Sequence, residues 1–197
     1  MDTPAVQAAQ EPHPIKLVVT DDLRRNRLTA FFRLLLALPH YIWIALWGIF
    51  AMLALILNWV ATLISGRPPA ALHNFLARFL CYSTHVTAYA FLIANPFPGF
   101  LGRPGYPVDL EVGPPEQQSR LTVFFRIFLA LPALLVSQIL RYLSQLLAVF
   151  SWFTAVILGR VPRGIRDFAA FALRFEQQTM GYVYLLTGRY PSFELGI

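Results

Sequence analysis

Cys81 and His85 stand four residues apart, a spacing that places a thiol and an imidazole on one side of a helix, and His73, Ser83 and Thr84 share the stretch. A thiol beside an imidazole is the minimum for an activated nucleophile, and a Cys/His cluster the minimum for a metal site. The equivalent stretch 93 residues later carries Arg174 and Gln178 at those two positions. A packed polar helix face accounts for both stretches. The sequence has no Gly-x-Ser-x-Gly, no Gly-x-x-x-x-Gly-Lys-Ser/Thr, no Gly-x-Gly-x-x-Gly, no His-Glu-x-x-His and no paired-cysteine metal spacing. We therefore expect no catalytic residues, no metal and no cofactor, and treat a lipid-directed enzyme built on Cys81 and His85 as the third reading.

Arginine is the other residue type with chemistry to offer. Arg141 interrupts an apolar run where its counterpart is Gly48. An arginine in such a run is a candidate for anion binding, against the plainer reading that it snorkels or pairs inside a bundle. Arg67 and Arg160 follow the glycines of Gly66-Arg-Pro-Pro69 and Gly159-Arg-Val-Pro162, where a guanidinium can meet lipid phosphate in bidentate fashion or simply anchor a loop. Arg33 and Arg126 each follow a pair of phenylalanines, which suits an interfacial helix with its guanidinium raised toward headgroups.

These groups are carried by a duplicated frame. Arg27-Leu-Thr-Ala-Phe-Phe-Arg-Leu-Leu-Leu-Ala-Leu-Pro39 and Arg120-Leu-Thr-Val-Phe-Phe-Arg-Ile-Phe-Leu-Ala-Leu-Pro132 agree at ten of thirteen positions, and the offset of 93 runs without a gap to the last residue. The organisation expected is a disordered tail over 1–13, one repeat over 14–104 and a second over 107–197. Of 197 residues, 57% are hydrophobic and 13% charged, too apolar a balance for a water-soluble domain of this size. The net charge of +6, with the apolar bulk in a bilayer, points to loops at phospholipid headgroups rather than to nucleic acid. A single cysteine excludes an internal disulfide.

Within each repeat the pattern predicts four elements. Ile15–Val19 and Val108–Val112 alternate as short strands, and further strands around Phe97–Leu101 and Phe193–Leu195 would complete a small antiparallel sheet outside the bilayer. Prolines 39 and 132 divide a short interfacial helix (28–38, 121–131) from a transmembrane helix (40–65, 133–158), since 33 helical residues would extend about 50 Å against a hydrocarbon core of about 30 Å. One kinked, tilted span is the alternative. Glycine followed by proline then reverses the chain. Return helices over 70–94 and 163–187 carry polar residues at matching phase: His73, Asn74, Cys81, Thr84 and His85 in the first, and Arg166, Asp167, Arg174, Gln177 and Gln178 in the second, with Glu176 beside them. These faces can meet around a pseudo-twofold axis, line a watery path or rest on a membrane surface. If all four long helices cross, the repeats share one orientation, and the excess of arginine on the terminal side places both termini in the cytoplasm.

Thr87-Ala-Tyr89 through Phe97-Pro98-Gly-Phe100, Met180-Gly-Tyr182 through Tyr190-Pro191-Ser-Phe193, the Gly-Arg-x-Pro turns and the Phe-Phe-Arg-x-x-x-Ala-Leu-Pro segments together resemble the bacterial membrane-protein family known as domain of unknown function 4389. The resemblance runs from Pro14 over nearly the whole chain and departs at Asn95-Pro-Phe-Pro98, where the second copy has Gly188-Arg-Tyr-Pro191. It implies a multi-pass integral membrane protein and brings no activity. The fold expected is mainly α and membrane-integral, in two tandem repeats. The leading function is a non-enzymatic, lipid-interacting scaffold or accessory subunit of a bacterial inner-membrane system, with membrane lipids and either other membrane proteins or a second copy as partners. The alternative is a small transporter or channel with its polar path between the return helices.

Overall fold

The computed structural model describes residues 13–193, so all of the expected tail but His13 lies outside them. The elements are β1 (Ile15–Val19), α1 (Arg27–Phe31), α2 (Arg33–Ser65), α3 (Ala70–Ala90), β2 (Val108–Val112), α4 (Arg120–Phe124), α5 (Arg126–Leu158) and α6 (Arg163–Val183). The two halves repeat each other element for element at the offset read from the sequence.

β1 and β2 pair antiparallel, with Leu17 opposite Leu110, Ile15 opposite Val112 and Val19 opposite Val108. Leu17 and Leu110 are repeat mates, so the pseudo-twofold axis passes through their pair. Alternation puts Ile15, Leu17, Val108 and Leu110 inward and leaves Lys16 opposite Glu111 on the exposed face. The two further strands expected do not form as such: residues 97–101 are irregular, Phe193 belongs to no strand, and 194–195 lie outside the described residues.

The helix break falls at Phe32 and Phe125 rather than at the prolines. Both phenylalanines leave helical geometry (φ −88 and −89°, ψ 8 and 10°), and α2 and α5 then run unbroken through Pro39 and Pro132. A proline in the second turn leaves a single carbonyl, that of Leu35 or Phe128, without its helical donor. The turn at Phe32 and Phe125 instead aims the next side chain, Arg33 or Arg126, into the protein. Gly66 and Gly159 close α2 and α5 in the left-handed region, φ 76 and 69°, as the Gly-Arg-x-Pro pattern predicts.

α2 packs on α3, α5 on α6, α3 on α6, and the strand pair on both α3 and α6, which makes α3 and α6 a middle layer. The short helices cross over: α1 lies against α5 and α4 against α2. Arg25 N–H donates to the Gly159 carbonyl (2.9 Å), and Gln118 N–H to that of Gly66 (2.8 Å). The start of α2 therefore lies beside the end of α5, the start of α5 beside the end of α2, and the long helices run antiparallel. This corrects the expectation of two hairpins in one orientation. Residues 24–25, which precede the first membrane unit, adjoin the Gly159 turn at the far end of the second, because the crossover joins them.

The main core gathers Ile15, Leu17, Leu76, Leu80, Val108, Leu110 and Leu173 between the strands and the middle helices. The fully buried positions of α2 and α5 form a narrow stripe rich in small or polar residues, including Ala37, Ala51, Ala54 and Asn58, and Ala130, Ser144, Ser151 and Ala155, with Ile44, Trp47 and Leu55 of α2 half-buried against the main core. Their remaining circumference is exposed and apolar, with Ile42, Phe50, Leu53 and Leu57 on α2 and Leu135, Leu146, Phe150 and Phe153 on α5. Both helices are long and apolar enough to cross a membrane, and only 17% and 22% of their most apolar windows are buried, unlike the central helix of a soluble core.

Candidate functional site

The side chains that the Phe32 and Phe125 turns drive inward form two related centres at the C-terminal ends of α3 and α6. There the chain leaves the helix through Leu92 and Leu185, both left-handed at φ 62°, a conformation that costs a non-glycine residue about 1–2 kcal/mol. The geometry turns carbonyls toward the crossing segment. Arg25 donates from Nε and Nη2 to the Leu92 carbonyl (3.3 and 2.8 Å) and from Nη2 to that of Ile93 (3.0 Å). Its mate Gln118 donates from Nε2 to the Leu185 carbonyl (2.8 Å).

Above these termini Arg33 and Arg126 are each 1% exposed. Arg33 lies over the ring of Tyr89 (4.3 Å to its centre) and Arg126 over that of Tyr182 (4.0 Å). A desolvated cation on an aromatic face gains about 2 kcal/mol, short of the several that burial of the charge costs. Arg126 Nη2 also donates to Gln118 Oε1 and its Nη1 to the Thr187 carbonyl (3.5 Å), leaving Nε without a partner. Arg33 donates from Nη2 to the Asn95 carbonyl (3.0 Å), and among the described residues Nε and Nη1 are buried without partners. Among the described residues neither arginine forms an ion pair, and the nearby Asp21 carboxylate is held by Arg25 (2.6 Å). The expectation that Arg33 and Arg126 reach out to headgroups is corrected: both guanidiniums are inside, because the turn before each points it at a tyrosine.

Beside Arg33 a cavity of about 520 Å³ lies between the first half of α2 and the second half of α5. Leu34, Tyr41, Phe91, Gln145, Ala148, Val149 and Trp152 are among its walls. In the related cleft beside Arg126 the position of Ala148 is taken by Leu55 of α2, partly buried against the core. A larger cavity of about 740 Å³ opens on the other flank of α2, lined in part by Trp47, Arg78, Arg103 and Asp109; both of these arginines are exposed.

The remaining residues singled out by sequence are dispersed. Arg67 is exposed and donates from Nε and Nη2 to the Pro115 carbonyl (3.2 and 2.9 Å), latching the segment that leads to α4. Arg160 is exposed and bridges Arg24 through the backbone. Arg141 pairs with Glu176 across α5 and α6 (2.6 Å). His73 Nε2 meets the Leu186 carbonyl across the repeats (3.3 Å), Thr84 bonds the Leu80 carbonyl of its own helix (2.8 Å), and Arg166 pairs with Asp167 (2.8 Å). Arg174 is buried with its guanidinium 5.7 Å from the Phe171 ring centre, and Gln177 is buried with Oε1 unpartnered. The strand pair lies over much of the two polar arcs: His85 bonds Asp109 (2.9 Å), Cys81 the Leu110 carbonyl (3.2 Å) and Gln178 the Ile15 carbonyl (3.1 Å). Cys81 and His85 are thus tied to β2 by separate bonds. Burial pushes the Cys81 thiol up to about 12, the reverse of what a nucleophile needs. Among the described residues no three His, Cys, Asp or Glu side chains gather as a metal site would require.

Sequence reasoning missed Arg25, Gln118, Tyr89 and Tyr182 as partners, and His40, whose Nδ1 meets the Tyr82 hydroxyl (2.7 Å) while its ring packs between Phe97 and Phe100. The signal for the tyrosines lay in the duplication. Arg33 and Tyr89 recur together as Arg126 and Tyr182, whereas Arg141, Cys81 and His85 do not recur.

The profile of the family described as domain of unknown function (DUF4389) matches residues 27–101 and again 120–194. The chain belongs to that family, as two tandem copies. Comparison with curated proteins and with solved structures returned no match.

Proposed function

We propose that this member of the family is a non-enzymatic membrane protein that acts through lipid contact, as a scaffold or accessory subunit of a bacterial inner-membrane system. The observation that carries the reading is the broad apolar face on each of the two 33-residue helices, left uncovered by the rest of the chain. Surfaces of that extent mark membrane or protein contact. A polar path between the return helices has less support, because the strand pair lies against that face.

Orientation follows from the axis. If α2 and α5 cross the bilayer as an antiparallel pair, the strand pair, which bonds α3 at Cys81 and α6 at Gln178 and lies on the axis between the two long helices, falls at hydrocarbon depth. Two open strand edges with Lys16 and Glu111 exposed are not tolerated there. With the twofold axis along the membrane normal, α2 and α5 lie in one leaflet and the strands and arginine-rich turns face water. This in-plane placement replaces the four crossing helices expected from hydropathy.

Single cysteines at Lys16, Arg67 and Arg160, in a Cys81→Ser background, test it with a membrane-impermeant maleimide applied to intact and to inverted vesicles. In-plane placement predicts that all three react from one side only. Crossing as an antiparallel pair would put Arg67 and Arg160 on opposite sides, and four crossing helices would put both opposite Lys16. Recovery of the chain in the aqueous fraction without detergent would overturn the membrane reading itself.

A further inference from the structure

The geometry points to the cleft beside Arg33 as a binding site for an anionic single-chain amphiphile, its carboxylate or phosphate head on the Arg33 guanidinium and its acyl chain between α2 and α5. The inference rests on the lipid-contact reading and adds the ligand class and the site.

Three observations converge. Arg33 is buried at 1% exposure and, among the described residues, makes no ion pair and keeps two N–H groups without acceptors. A guanidinium presents those donors as a planar fork suited to two oxygens of one anion. Second, the substitution that separates the halves removes its compensation: where Gln118 offers Arg126 an acceptor, the first half has Arg25, a second cation whose own carboxylate, Asp21, is already engaged. Third, Arg33 itself forms part of the wall of the cavity of about 520 Å³. Its other walls include Leu34, Phe91, Ala148, Val149 and Trp152, with the Tyr41 hydroxyl and the Gln145 amide as uncharged polar groups. That volume lies in the range of small-molecule sites. The related cleft beside Arg126 has Leu55 of α2 in place of Ala148, so the site is confined to the cleft beside Arg33.

The head and chain make separate demands, which the test reads separately. Purified full-length protein in a non-ionic maltoside detergent is titrated with oleate, oleoyl lysophosphatidate, oleyl alcohol and inorganic phosphate, with binding followed by native mass spectrometry. Both acyl anions are expected to bind, and oleyl alcohol and inorganic phosphate to bind at least about tenfold more weakly, in line with one strong charge-assisted contact. The tighter of the two anions identifies the head. Arg33→Gln removes the charge, and Ala148→Leu installs the side chain that the fold already carries at the equivalent site; each is expected to weaken oleate binding about tenfold. Oleyl alcohol binding as tightly as oleate, inorganic phosphate binding as tightly as lysophosphatidate, or both variants binding like wild type would overturn the inference. The assay is run in detergent, so its result stands apart from the vesicle labelling. A chain that fails to enter membranes refutes the lipid-contact reading, while a membrane protein that binds no acyl anion refutes only this site.

Discussion

In the first half Arg33 lies over Tyr89 with Arg25 as its neighbour across the end of α3, and in the second Arg126 lies over Tyr182 with Gln118 in that place. One frame thus holds the same cation in two states, with two unpartnered donors in the first half and one in the second. The strand–helix contact diverges in the opposite sense. Gly181 of α6 meets Ile15 of β1 so closely that a Cβ there would land on Ile15 Cδ1, whereas its mate is Ala88 and the mate of Ile15 is Val108. The methyl missing from the helix reappears on the strand, so total volume is conserved. Packing is exchanged between the halves without loss, while polar compensation is kept in one and surrendered in the other. A difference of the second kind is where ligand binding is to be sought.

The sharpest way to break the comparison is to remove each arginine in turn. Arg126→Met strips a charge-assisted partner from buried Gln118 and should cost about 3 kcal/mol, while Arg33→Met, which orphans the Asn95 carbonyl but relieves two unsatisfied donors, should cost less than half as much. Thermal midpoints in detergent check the ranking, and equal losses would erase the distinction between the centres. Next comes Gly181→Ala, expected to cost about 1 kcal/mol, the displacement of Ile15 Cδ1 in a packed core being partly offset by the better helix propensity of alanine. Adding Ile15→Val recreates the pairing of the other half and should recover most of that loss in a double-mutant cycle.

A smaller contrast lies at the short helices. Asn26 caps α1 by accepting from Leu28 and Thr29 N–H, whereas Ser119 makes no side-chain cap bond at α4. Asn26→Ala should therefore cost about 1 kcal/mol and Ser119→Ala only a few tenths. The smallest effect is expected from pH. Burial lowers His85 below its ordinary value of 6.5, against the opposing pull of Asp109, and its mate Gln178 does not titrate. A base held neutral by folding gives up stability as pH falls, because the unfolded chain takes the proton first. The thermal midpoint should decline below about pH 6.5, and His85→Gln should make the decline shallower, with buried His40 and His73 supplying part of the remainder.

What the sequence disclosed and what it hid divide along the same physical line. The offset of 93, the strands, the glycine stops and the apolar run of α2 are local patterns, and local sterics settle them. The direction of one half relative to the other is not local. It depends on α1 docking on α5 and α4 on α2, contacts made across more than a hundred residues in the first case and about sixty in the second. The fate of Arg33 was misread for a related reason. A helix-wheel argument places an arginine beside two phenylalanines at a headgroup surface, and only the one-residue interruption at Phe32 turns it inward. Cys81 and His85 share a helix face as the spacing requires, yet each is bonded to a strand from the other half, which nothing within their own stretch announces.

The exchange of short helices and the single shared strand pair mean that neither half owns a finished core. A polypeptide carrying just one copy would find its missing neighbours only in a second molecule of itself, related by the same axis, and would be an obligate dimer in which both clefts are identical. Joining the copies in one chain releases each from that constraint. Arg25 can then depart from Gln118, and Ala148 from Leu55, on one side alone, so covalent linkage is what lets a symmetric scaffold carry a single asymmetric site.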